Sequence, residues 1–233
     1  MILYEGPSML NGDPIVVIVT GLVTPSTNRK TGAMLQTWIL AQDEAPHEAV
    51  KSGKDASVCG TCPARGTWCY VTTFHGPRSI WETWKRGGYP MLNLDELKGR
   101  PVRFGAYGDP AAVPFQVWDE IGIHASMVTG YTHAWKYCNP LHKHYCMASC
   151  DTEEEALYAQ SMGWRTFRVT ESLDNLLTKE VVCPASDEAG KKLQCIQCGA
   201  CDGVSSRRKS HIVIKAHGAK TKRYDEWQGT ESM

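Results

Sequence analysis

Three cysteines within seven residues, Cys195-x2-Cys198-x2-Cys201, with Cys183 upstream, constrain this chain more than any other feature. Two-residue gaps let a backbone fold into a tight knuckle that aims sulfurs at one centre, and four thiolates complete a tetrahedral zinc site or hold a four-iron cluster. Gly199 and Gly203 relax the turns, and His211 is an alternative to Cys183 as the fourth ligand. Spacing alone does not separate zinc from a 4Fe-4S cluster. The chain carries 10 cysteines, and its start, Met1-Ile2-Leu3-Tyr4-Glu5, lacks the charged opening and apolar run of a secretory signal. Disulfides do not persist in a reducing cytoplasm, so the expectation is a cytoplasmic protein whose thiols bind metal.

A second group, Cys59-x2-Cys62-x6-Cys69, offers three local thiols, which could recruit a fourth ligand or leave one position of an iron–sulfur cluster open. Cys146 and Cys150 flank a strand-like run at a spacing that suits core packing.

The run Ile15-Val16-Val17-Ile18-Val19-Thr20 reads as a buried strand, Leu35 to Leu40 as a second, and Pro46 to Ser52 as a short helix. From Arg100 strand-like and helix-like runs alternate. Val102 to Tyr107 precedes Gly108-Asp109-Pro110 and a helix from Pro110 to Ile121; Ala125 to Thr129 precedes Gly130 to His133. Cys146 to Cys150 precedes Asp151-Thr152 and a helix over Glu153 to Met162, followed by strands at Trp164 to Thr170 and His211 to Lys215. This alternation predicts an α/β fold with a parallel sheet, a partial or complete (β/α) barrel over residues 1–217. Residues 183–211 would be its metal-binding segment and 218–233 a mobile tail.

Lys plus Arg and Asp plus Glu both number 25, so an acidic partner would have to be held by a local patch. Arg78, Lys85, Arg86, Arg207, Arg208 and Lys209 are candidates for one. No stretch reaches the roughly 20 apolar residues of a membrane span. Nothing in the sequence sets an oligomeric state.

Reactive side chains fall just after the strands, where parallel sheets gather their sites. Asp109 and Asp151 would point into one pocket, as nucleophile and proton carrier, or else serve as a turn cap and a helix cap. His133 could donate to a carbonyl or phosphate, and Tyr107, Tyr131 and Trp135 could stack on a planar base or simply fill the core.

These residues carry a resemblance. Cys59-Gly60-Thr61-Cys62-Pro63 with Cys69-Tyr70-Val71, Tyr107-Gly108-Asp109-Pro110, Gly130-Tyr131-Thr132-His133 with Trp135, Met147-Ala148-Ser149 with Asp151, and Gly163-Trp164-Arg165-Thr166-Phe167-Arg168-Val169 resemble a family of small phage and bacterial proteins over roughly residues 10 to 217. That family resembles in turn the phage DNA-guanine transglycosylases (DpdA-like), which are similar to tRNA-guanine transglycosylases. The resemblance implies a (β/α) barrel, a cysteine-rich zinc site, and two aspartates, here Asp109 and Asp151, as nucleophile and acid/base. The activity it implies is exchange of guanine in DNA for a 7-deazaguanine such as 7-cyano-7-deazaguanine, in the host cytoplasm, protecting phage DNA from restriction. The spacing of Cys195, Cys198 and Cys201 departs from the Cys-x-Cys-x2-Cys of that superfamily. Two other readings stand beside it. One is an iron–sulfur enzyme of radical S-adenosylmethionine type, although Cys59, Cys62 and Cys69 depart from its Cys-x3-Cys-x2-Cys loop; the other is a DNA-binding module stapled by metal.

Overall fold

A computed structural model of the protein describes residues 1–204, 209–217 and 221–231, the last three without side chains. It is a mixed α/β structure with two five-stranded sheets rich in parallel pairs. The first sheet opens with a meander of β1 (Ile2–Pro7), β2 (Pro14–Thr20) and β3 (Leu35–Ala41), in which both pairings are antiparallel. β4 (Pro101–Tyr107) and β5 (Met127–Thr129) then add in parallel. The second sheet runs β6 (Tyr131–Thr132), β7 (Met147–Cys150), β8 (Thr166–Thr170), β10 (His211–Lys215) and β9 (Glu180–Val182), all parallel. Only Gly130 separates β5 from β6, so one stretch of chain passes from sheet to sheet. Among the described residues no strand pair joins the outer edges β1 and β9.

Helices supply the crossovers that parallel strands require. After β3 come α1 (Pro46–Ser52), α2 (Ala56–Cys59) and α3 (Gly76–Lys85). The helix expected from Pro110 is divided: a 3-10 turn occupies Pro110–Ala112, and α4 (Phe115–His124) starts after Pro114. Pro114 has no N–H for a continuing helix and disfavours helical backbone at Val113, which restarts the element. α5 (Glu153–Ser161) opens on Thr152, whose hydroxyl accepts from Glu155 N–H at 3.2 Å, while Glu155 accepts from Asp151 N–H at 3.0 Å. This reciprocal cap, with Glu153, Glu154 and Glu155 in the first turn, suits the helix N-terminus.

Alternation along β4 decides what faces where. Val102 and Phe104 enter the core with Ile15, Ile18, Ile39, Trp118 and Ile121, Arg103 and Gly105 turn to the opposite face, and Tyr107 at the strand's end belongs to the core while also lining the cavity. Cys146 and Cys150 lie in that core, 1% and 0% exposed, as their spacing suggested. Of the segment expected as a mobile tail, the described residues form α7 (Thr221–Glu231), which docks back on the sheets, while residues 218–220 and 232–233 lie outside the described residues. The Tyr224 ring meets Trp68 edge-on at 4.9 Å, and its hydroxyl donates to the carbonyls of Val169 and Asp151 at 3.0 and 3.2 Å. No helix among the described residues is long and apolar enough to cross a membrane.

Edge strand β9 is held by charge as well as by its ladder. Arg168 on β8 grips both oxygens of Glu180 across β10, at 2.8 and 2.6 Å, with side chains 7% and 0% exposed. Removing one partner strands the other without water. Glu180→Ala is therefore expected to lower unfolding free energy by about 3–5 kcal/mol, read from urea denaturation; a loss under about 1 kcal/mol would show that the pair behaves as a surface contact.

Candidate active site

A cavity of about 370 Å³ opens between the sheets. Side chains facing it come from β4, β6, β7, β8 and β10 and from the loops after β3 and β9. The structure brings most of the sequence candidates to this one space. Asp109, His133, Asp151, Tyr107 and Tyr131 line it, as do Cys59, Cys62, Cys69, Cys183, Cys195, Cys198 and Cys201.

Asp109 organises the carboxyl-end loops. Its N–H donates to Val58 O at 2.6 Å, Oδ1 accepts from Ala111 N–H at 2.9 Å, and Oδ2 accepts from His133 N–H at 2.8 Å. One residue thus ties the cysteine loop, its own turn and the loop after β6. Gly108 lets the chain come this close, with φ at +81° and a missing Cβ that would strike Ile39 and the Val58 carbonyl. Both carboxylate oxygens are occupied by amides, so the capping role weighed for Asp109 is the one realised.

Asp151 is arranged differently. The cap of α5 is Thr152, which leaves the Asp151 carboxylate, 1% exposed, facing the cavity wall. His133 Nε2 lies 3.2 Å from Asp151 Oδ2 but is not aligned for a hydrogen bond, so neither Asp151 oxygen is satisfied within the protein. On its other side, His133 Nδ1 meets Cys62 Sγ at 3.4 Å. Burial alone would lower the imidazole pKa; the Cys62 thiol and the Asp151 carboxylate outweigh it and hold His133 well above its usual range.

The two cysteine groups approach from different directions. Cys59, Cys62 and Cys69 sit in the loop after β3, beside Asp109. Burial pushes the Cys59 thiol well up, and Cys62, Asp55, Cys69 and Asp109 add to it. The later segment is pinned to loops at the strands' amino ends. Cys195 N–H donates to Lys30 O at 2.8 Å, Val204 N–H to Lys143 O at 2.8 Å, and Gly130 N–H to Cys201 O at 3.2 Å. Arg165, opening β8, spreads hydrogen bonds to Asp202 Oδ1 and to the carbonyls of Ala200, Gly203 and Ser210. Burial raises the Cys201 thiol, the Tyr131 hydroxyl offsets part of that, and the thiols of Cys183, Cys195 and Cys198 raise it further. None of the 10 cysteines, all of them described, is in a disulfide. Among the described residues no three His, Cys, Asp or Glu side chains are gathered tightly enough to hold a metal ion as they stand. The donor chemistry fits nonetheless: the four soft sulfurs of Cys183, Cys195, Cys198 and Cys201 line the same cavity and bear on one another's pKa values.

Other candidates lie elsewhere. Trp135 is a core residue, 2% exposed, its indole N–H donating to Ser149 O at 3.0 Å, and it does not reach the cavity. His211 accepts from Thr166 N–H at 3.1 Å and is likewise outside, which leaves Cys183 as the fourth thiol of its group. Arg78 pairs with Glu82, and Lys85 lies over the Trp81 and Trp84 rings on α3, away from the cavity. Arg207 and Arg208 lie outside the described residues. Sequence reasoning missed Lys30, Trp68, Tyr70, Arg103 and Tyr224 on the cavity wall. For Arg103 a signal existed: a lone charge inside an apolar strand.

Compared with protein-family models, curated proteins and solved structures, the chain matches none.

The Arg165 fan makes the cysteine segment depend on one side chain. Arg165→Met is expected to speed amide hydrogen exchange over residues 198–204 roughly ten- to a hundredfold, with β2 and β3 unchanged. Unaltered exchange in the segment would show that its own turns hold it.

Proposed function

We propose that this chain is a base-exchanging enzyme acting on DNA, a transglycosylase that replaces guanine with a 7-deazaguanine such as 7-cyano-7-deazaguanine. The observation carrying this reading is the Asp151 carboxylate, set in an aromatic-walled cavity against His133 with neither oxygen satisfied. A carboxylate so placed is a nucleophile in waiting. The two sheets, meeting at Gly130, are read as a partial (β/α) barrel whose carboxyl-end loops carry the site.

Roles follow from what each carboxylate already does. Asp151 attacks C1′ of the target nucleotide, forming a sugar ester as the bond to guanine breaks. His133 gives its proton to the departing base. The incoming deazaguanine then loses its N9 proton to His133 and attacks C1′, releasing the Asp151 carboxylate. Asp109, occupied by amides, is a positioning residue for His133. The target nucleotide must leave its stack to enter, where Tyr107, Tyr131 and Trp68 offer ring faces. The thiolates of Cys183, Cys195, Cys198 and Cys201 would hold zinc, which there supplies cross-linking of the segment to the sheets.

One observation favours a second reading, an iron–sulfur enzyme of S-adenosylmethionine type. Cys59, Cys62 and Cys69 open into the same cavity from the loop that follows β3, the first strand of the parallel run. Three thiolates would hold a four-iron cluster with one iron free to bind a small ligand, and the later four an auxiliary cluster.

Nucleoside mass spectrometry of DNA from cells making the protein and supplied with the deazaguanine tests the first reading. Modified nucleoside is expected with the unaltered chain, a fall of about 10⁴-fold in exchange rate for Asp151→Asn, and a fall of roughly a hundredfold for Asp109→Asn through misplacement of His133. Unmodified DNA with the unaltered chain rejects base exchange. Metal analysis separates the two readings: one zinc per chain in a colourless protein is expected for base exchange, whereas a brown protein bleached by dithionite points to the cluster.

A further inference from the structure

Among the described residues the two buried arginines, Arg165 and Arg168, are answered by the protein. Arg168 has Glu180, Arg165 has Asp202 with three carbonyls, and the partly buried Arg65 and Arg100 have Asp55 and the carbonyls of Gly21 and Leu22. Arg103 is the exception. It rises from β4 at the seam between the cavity and an adjoining cleft lined by Asn28, Trp38 and Tyr70. Its Nη2 donates to the Tyr70 hydroxyl at 3.2 Å, while its buried Nε–H has no acceptor. Among the described residues neither Arg103 nor Lys30, which lines the same cavity, has an ion-pair partner. The Lys30 backbone is fixed from both sides, its N–H donating to Asn28 Oδ1 at 2.9 Å and its carbonyl accepting from Cys195 N–H at 2.8 Å.

A guanidinium N–H buried without an acceptor is unfavourable unless something else supplies one. The planar guanidinium fork suits the two oxygens of a carboxylate or phosphate, and the Lys30 ammonium, which lines the same cavity and with Arg103 offsets part of the burial that raises the Cys195 pKa, adds a second positive charge. We propose that Arg103 and Lys30 form an oxyanion subsite that receives a phosphate or carboxylate group of the substrate. Tyr131, which faces the same cavity, supplies a ring beside the charged end. The subsite stands whether or not base exchange is the reaction.

Calorimetric titration of the full chain at low, constant ionic strength tests it with two matched pairs of probes: deoxyguanosine 5′-monophosphate against deoxyguanosine, and benzoate against benzamide. At least one charged probe is expected to bind roughly tenfold or more tightly than its neutral counterpart, and the pair showing the advantage tells phosphate from carboxylate. Arg103→Gln and Lys30→Gln should each erase most of that advantage without weakening the neutral probe, and Arg103→Lys should keep part of it. If Arg103→Gln does not fold, Lys30→Gln carries the test. No advantage for either charged probe, including no binding at all, overturns the subsite, as does an advantage untouched by Arg103→Gln or, where that variant does not fold, by Lys30→Gln. Loss of bound metal in Arg103→Gln with anion binding intact would assign the guanidinium to the Cys195 thiol instead. Because metal content and base exchange are measured separately, failure of the proposed function leaves this result readable.

Discussion

The geometry of the cavity hangs on Asp109, whose carboxylate accepts from two amides and whose own N–H donates to the Val58 carbonyl. Loops at the ends of parallel strands have no ladder to fix them, so their positions must come from side chains that reach between neighbours. The Asp109 carboxylate does this for the turn after β4 and the His133 loop after β6, while its backbone N–H holds Val58 O of the cysteine segment after β3. Without it Cys62, His133 and Asp151 would share a region but not a geometry, and the 3.4 and 3.2 Å approaches on either side of the imidazole would have no reason to persist.

Charge compensation explains the rest of the site's character. Buried arginines on β8 are neutralised within the protein and hold the sheet edge and the later cysteine segment in place. Asp151, set against the His133 imidazole at 3.2 Å, and Arg103, without an ion-pair partner among the described residues, both line the cavity. Burial raises the Cys59 and Cys201 thiols, which favours their protonated form unless a cation takes the proton's place.

Much of this was legible in the sequence, for reasons that also mark where reading stops. Ile15 to Thr20 announced itself as a strand because both faces are buried and β-branched residues run unbroken, and Leu35 to Leu40 did so with only Gln36 interrupting its apolar and β-branched residues. Residues beyond strand ends were found because a parallel sheet puts reactive groups there. The docking of α7 was not legible: its residues are mostly polar, and Tyr224 is buried only because Trp68 and the carbonyls of Asp151 and Val169 wait for it. Nor could the sequence divide roles between two aspartates that each precede a helical turn. That division rests on which neighbour takes the cap, Thr152 relieving Asp151 while nothing relieves Asp109. Trp135 looked like a stacking platform by its company and proved to be core, since a 3-10 turn at Ala134–Lys136 rotates it inward onto Ser149.

The central claim is that Asp151 forms the bond to the sugar. Intact-protein mass spectrometry after incubation with a guanine-containing oligonucleotide and no incoming base, followed by peptide mapping, addresses it directly. An adduct of protein and DNA confined to the peptide carrying Asp151 is the expected result; an adduct on Asp109, or none while base exchange proceeds, would contradict it.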